Sequence, residues 1–64
     1  MTRKELAIAI GKAEAKKMGK GLDTVKAIAK GLLFGAGYSK PAKKDYLENW
    51  YNRLVEEGYI NAIR

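Results

Sequence analysis

Lysines, rather than catalytic side chains, are the residues of this chain whose type and spacing indicate chemistry. Lys26 and Lys30 stand four residues apart and Phe34 follows four residues later. A helix would place all three on one face, away from the apolar stripe of the same segment. Folding alone does not require an aromatic ring behind two outward lysines, so one interpretation of this pattern is contact with a partner or a base. The alternative is that Phe34 packs against the first helix or under Ile60 or Ile63.

A second group of basic residues surrounds the predicted start of the third helix. The positive pole of a helix dipole disfavours cations by a few tenths of a kcal/mol each, unless an anion binds there. Free amides, a serine hydroxyl and three lysines would form a phosphate clamp, although the lysines could equally extend into water. The predicted nucleic-acid-binding residues are therefore Lys26, Lys30, Phe34, Ser39, Lys40, Lys43 and Lys44.

The charge of the chain is uneven. The 64 residues carry a formal net charge of +6, with net +8 in residues 1–44 and net −2 in residues 45–64. A strong positive potential raises the local concentration of anions and the rate of association with them. The backbone of a nucleic acid is the first candidate partner.

Catalysis is not expected. The chain has no His and no Cys, which removes the commonest general base and the strongest nucleophile. Gly19-Lys20-Gly21 could suggest a phosphate-binding loop, but such loops follow a strand and this one follows a helix, so we interpret it as a turn. Neither a metal, a cofactor nor a small-molecule substrate is predicted, since no convergent ligand set emerges from the acidic residues of the third helix, Asp45, Glu48, Glu56 and Glu57.

The elements that must position these lysines are three helices in a single all-α domain spanning residues 1–64. Their predicted bounds are approximately 3–18, 24–36 and 40–57. Thr2 and Glu5 form a capping box for the first helix, Asp23 is the predicted N-cap of the second, and Ser39 is the predicted N-cap of the third, with Pro41 in its first turn. The turns contain Gly19 to Gly21 and Gly35 to Gly37, and Gly58 is expected to end the last helix.

The predicted fold is a compact three-helix domain with an apolar C-terminal extension. Trp50 shares a stripe with Leu47 and Leu54, which predicts a core centred on the tryptophan. Residues 59–64 are too apolar for a solvated tail and are expected to fold back onto that core. The first helix is apolar over more than half its circumference, so it is either central or covered by another chain. Because so small a domain has a marginal core, a dimer, or a protein partner docked on the first helix, is expected.

The leading hypothesis is a small, non-catalytic nucleic-acid-binding or regulatory protein. The alternative is a protein-binding adaptor or inhibitor that acts through the apolar first helix and an exposed Phe34. A membrane-surface peptide is a third possibility, which the acidic third helix disfavours. No stretch is long enough for a membrane span or a secretion signal, so a cytoplasmic location is the default expectation.

Overall fold

The computed structural model describes residues 1–35 and 40–61. Within them the chain forms three helices: α1 (Arg3–Lys17), α2 (Leu22–Phe34) and α3 (Lys44–Glu56). These ranges contain no strand. The all-α, three-helix prediction is confirmed.

The start of α1 is fixed by the capping box that the sequence predicts. The Thr2 hydroxyl oxygen accepts a hydrogen bond from the Glu5 backbone N–H at 3.1 Å, and the Thr2 backbone N–H donates to Glu5 Oε1 at 2.8 Å. These bonds pair two amides that have no partner within the helix. The hydrogen bond from the Thr2 backbone is the main cause that lowers the pKa of the Glu5 carboxyl.

α1 is the central helix, and it packs against both α2 and α3. In the described part of the chain, α2 and α3 do not pack directly against each other. Packing on two sides explains why the sequence of α1 is apolar around so much of its circumference. Ala7, Gly11 and Ala15 recur every four residues and are all buried.

Gly11 allows α1 and α2 to approach closely. A β-carbon at this position would lie 2.8 Å from the carbonyl oxygen of Val25 and 3.5 Å from the Val25 side chain. The first distance is shorter than van der Waals contact, and the carbonyl belongs to the rigid backbone. Any residue larger than glycine would therefore force the two helices apart. The crossing of α1 and α2 thus depends on a glycine in the middle of a helix.

α2 begins earlier than predicted. Its N-cap is Gly21, whose carbonyl accepts from the N–H groups of Thr24 and Val25. Asp23 is therefore not the N-cap, but its carboxylate lies in the first turn, where the helix dipole favours it. The helix ends at Gly35, which adopts the left-handed conformation with φ of 70°.

α3 begins at Lys44, four residues after its predicted start, and Lys43 is its N-cap without a side-chain capping bond. Tertiary hydrogen bonds hold the preceding segment out of the helix. The Ala42 N–H donates to the Leu32 carbonyl at 2.8 Å, and Arg3 Nε donates to the Ala42 carbonyl at 2.7 Å. The predicted cap Ser39 lies outside the described residues.

The core lies between α1 and α3 and is not centred on Trp50. Its buried cluster consists of Leu6, Ile10, Ala13, Leu47 and Leu54. Trp50 is half-buried at the edge, where its indole N–H donates to Glu14 Oε1 at 3.2 Å. An indole at this position covers the cluster while its polar atom reaches a carboxylate.

The segment after α3 turns back onto the core as far as it is described. Gly58 has φ of 85°, and the Tyr59 N–H donates to the Leu54 carbonyl at 2.9 Å. Ile60 is half-buried against the core cluster. Residues 62–64, including Ile63, lie outside the described residues. None of the described helices has the length and apolar composition needed to cross a membrane.

Candidate nucleic-acid interface

A groove between α1 and α2 gathers lysines from both helices. It has a volume of about 440 Å³. We call it the lysine groove after its four lysines, which are Lys4, Lys12, Lys26 and Lys30. Lys26 and Lys30 were selected from the sequence, and the structure adds two lysines of α1 that face them across the helix crossing.

The floor of the lysine groove is apolar. It is formed by residues of both helices: Ile8, Leu22, Val25, Ala29 and Leu33. None of the described residues that line the groove is acidic. The lysine charges are therefore not neutralised by acidic residues lining the groove, and a low-dielectric floor between them strengthens their field.

Phe34 stands at the C-terminal end of α2 and lines the lysine groove. Its side chain is 71% exposed, the largest exposed fraction among the bulky apolar side chains of the described chain. The exposure of Phe34 contradicts the alternative in which it packs under Ile60 or is covered by α1. The aromatic ring is left available on the same side of the molecule as Lys26 and Lys30.

Lys40 and Lys43 line a second groove, which we call the aromatic groove. It has a volume of about 630 Å³ and lies between α2 and α3, where these helices diverge. Tyr46 and Trp50 form its α3 side, with ring centroids 6.0 Å apart in an edge-to-face contact. Tyr46 is 59% exposed. α2 separates the two grooves and contributes to both.

The predicted phosphate clamp at the start of α3 does not form a single cluster. Lys44, the first residue of the helix, lines a separate depression with Glu48 and Tyr51 instead of the aromatic groove. Lys40 lies before the helix rather than in its first turn, which holds the acidic Asp45. Ser39, the fourth predicted member, is not among the described residues. Lys40 and Lys43 are brought together, and Lys44 is not.

Lys4 and Lys12 line the candidate interface, and sequence reasoning missed them. They stand eight residues apart, so they share a face of α1 with Ile8 between them. This spacing is visible in the sequence. The sequence does not reveal that the close crossing of α1 and α2 at Gly11 brings this face of α1 beside Lys26 and Lys30.

Acidic side chains line two other depressions, one of which is the depression beside Lys44. Glu14 and Glu57 line the groove between α1 and α3, where Lys17 Nζ lies 3.7 Å from Glu14 Oε1 and 4.0 Å from Glu57 Oε1. Lys17 also lies 4.9 Å from the centre of the Tyr59 ring. The described residues contain no cluster of acidic side chains that could hold a metal ion.

Comparisons with protein-family models, with curated proteins and with solved structures find no match to this chain.

Proposed function

We propose that this protein binds the phosphate backbone of a nucleic acid through the lysine groove and catalyses no reaction. The observation that carries the proposal is the convergence of four lysines from two helices on one groove with no acidic lining residue. Lysine contacts to phosphates release condensed counterions, and this release supplies most of the affinity of sequence-independent binding. A regulatory role would follow because the bound protein occupies the nucleic acid.

Lys40 and Lys43 extend the proposed contact surface around α2. They lie on the opposite side of this helix from the lysine groove, and the described residues that line the aromatic groove include no acidic side chain. Lys44 is excluded because it lies beside Glu48, in a depression that neither groove shares. The proposed surface therefore consists of the two grooves and the face of α2 between them.

The proposal is tested with two double variants that remove the same charge. Lys26→Gln with Lys30→Gln changes the lysine groove, and Lys20→Gln with Arg53→Gln changes exposed residues that line neither groove. Fluorescence anisotropy at low salt would measure the binding of a labelled mixed-sequence oligonucleotide. The groove variant should bind about tenfold more weakly or worse, because each lost phosphate contact removes the release of about one counterion.

The control variant should bind nearly as well as the native protein. Equal losses in the two variants would show that net charge alone attracts the oligonucleotide, and the proposed site would be wrong. Failure of the native protein to bind any oligonucleotide at low salt would refute the function itself.

Docking of a protein on Phe34 is the second candidate function, and the 71% exposure of this ring favours it. The other half of that hypothesis, an apolar face of α1 open to a partner, loses most of its basis because Leu6, Ile10 and Ala13 are buried within the chain, and Ile8 lines the lysine groove. The same burial accounts within one chain for most of the apolar residues of α1, and the dimer stays a prediction. Salt separates the two functions, since apolar docking does not weaken steeply with salt.

A further inference from the structure

We propose that the lysine groove takes single-stranded nucleic acid, with unpaired bases against its apolar floor and phosphates at its lysines. This inference rests on the proposed function and names the form of nucleic acid that fits it. It follows from the composition of the groove, which is lined by two lysines from each helix and by apolar side chains of both.

The apolar floor distinguishes between a duplex and a single strand. A duplex stacks its bases inside and presents sugars and phosphates, which gain nothing from contact with Ile8, Val25 or Leu33. A single strand exposes the flat, apolar faces of its bases, and these can leave water in the groove while the phosphates stay near the lysines. The groove therefore complements a strand that is not paired.

Phe34 supplies the stacking surface that such binding uses. Proteins that hold single strands without sequence preference combine a positively charged groove with aromatic rings on which bases stack. The ring of Phe34 is exposed at the end of the floor and shares the face of α2 with Lys26 and Lys30. A base stacked on this ring would cover an apolar surface that the fold leaves in water.

The aromatic groove repeats this combination on the other side of α2. Tyr46 is exposed beside Lys40 and Lys43, and its edge-to-face contact with Trp50 holds the ring in place before any ligand arrives. A ring that is already ordered loses less conformational entropy on stacking. A flexible strand can pass from one groove to the other, whereas an acidic amphipathic helix is straight and would fill only one. The presence of two such grooves therefore favours a single strand over a helix as the ligand.

Anisotropy titrations with labelled oligo(dT) and with a duplex of equal length test the inference. The native protein should prefer the single strand. Phe34→Ala should weaken single-strand binding by about fivefold to a hundredfold, the range that corresponds to loss of one base stack. Phe34→Leu, which keeps an apolar side chain but no aromatic face, should also weaken it. Neither substitution should change duplex binding by more than about twofold.

Tyr46→Ala should weaken single-strand binding in the same way, and Tyr59→Ala is the control, since Tyr59 lines neither groove. Far-UV circular dichroism would establish that each variant is folded. Equal affinity for the duplex and the single strand, with no effect of Phe34→Ala, would overturn this inference and leave the proposed function standing. Absence of binding to both would overturn the proposed function as well. Binding of an acidic amphipathic peptide in their place, sensitive to Phe34→Ala, would assign the groove to a protein partner.

Discussion

Arg3 Nη2 donates a hydrogen bond of 2.6 Å to the carbonyl oxygen of Leu33, which links the first turn of α1 to the last turn of α2. The same guanidinium reaches the carbonyls of Leu32 at 3.4 Å and Ala42 at 2.7 Å. Carbonyls at the end of a helix lack partners and carry partial negative charge, so a guanidinium is well suited to them. Arg3 thereby fixes the end of α2 that presents Phe34.

Replacement of Arg3 is predicted to destabilise the fold. Arg3→Gln should lower the free energy of unfolding by about 1.5–3 kcal/mol, the range for hydrogen bonds to charged groups. Arg3→Lys should recover only part of this, because an ammonium lacks the planar fork that reaches several carbonyls. Urea unfolding followed by circular dichroism measures both. Lys4→Gln removes the same charge one residue away and should change stability by less than about 0.5 kcal/mol; an equal loss there would contradict the role of Arg3.

Two glycine substitutions are predicted to have opposite effects. Gly11→Ala should destabilise by about 1–3 kcal/mol, because its β-carbon would press on the Val25 carbonyl. Gly31→Ala should stabilise by about 0.5–1 kcal/mol, because nothing lies within 4 Å of its β-carbon and alanine favours the helix. Thermal unfolding measures the stability of each variant relative to the native protein. A stabilising Gly11→Ala would show that the helices do not cross at this distance.

The residue now predicted to contribute most to the core is Leu47 rather than Trp50. Leu47 is fully buried in the cluster between α1 and α3, and Leu47→Ala should cost about 2–5 kcal/mol. A domain of this size has roughly 3–10 kcal/mol of stability, so the variant should lose a large share of it and melt at a much lower temperature. Trp50→Phe keeps an aromatic cover and loses the bond to Glu14, which should cost about 1 kcal/mol. A Leu47→Ala variant that melts, by circular dichroism, at the same temperature as the native protein would contradict this core.

Acid is predicted to weaken the cap of α1. The hydrogen bond from Thr2 lowers the pKa of the Glu5 carboxyl, so the folded state binds this proton less readily than the unfolded state. The contribution is present above the ordinary pKa of glutamate and is lost as the pH falls through the lowered value. The melting temperature of the native protein should therefore fall over that range more steeply than that of Glu5→Gln. Identical pH profiles for the two proteins would exclude the effect.

Local signals in the sequence predicted the start of α1 and the glycine that follows the end of α3. The capping box at Thr2 and the left-handed Gly58 are confirmed, since both depend on bonds within one turn. The start of α3 was wrong because long-range bonds override the local preference of Pro41. Leu32 and Arg3 hold Ala42 in the linker, and neither contact can be deduced from spacing.

Only part of the candidate site could be predicted from the sequence, because spacing along one helix does not determine how two helices cross. Lys26, Lys30 and Phe34 lie on one helix, so helical spacing was sufficient to group them. Their association with Lys4 and Lys12 depends on how α1 crosses α2, which Gly11 determines through a single close approach. A glycine in the middle of an apolar helix is the signal in the sequence that could have indicated this crossing.

The salt dependence of oligonucleotide binding tests the central claim most directly. For a single strand each neutralised phosphate contributes about 0.7 to the slope of log affinity against log salt, so the four groove lysines together with Lys40 and Lys43 predict a slope of about −4. The double variant Lys26→Gln with Lys30→Gln should flatten this slope by about 1.4. A native slope near zero, or a double variant whose slope equals that of the native protein, would contradict phosphate binding in the lysine groove.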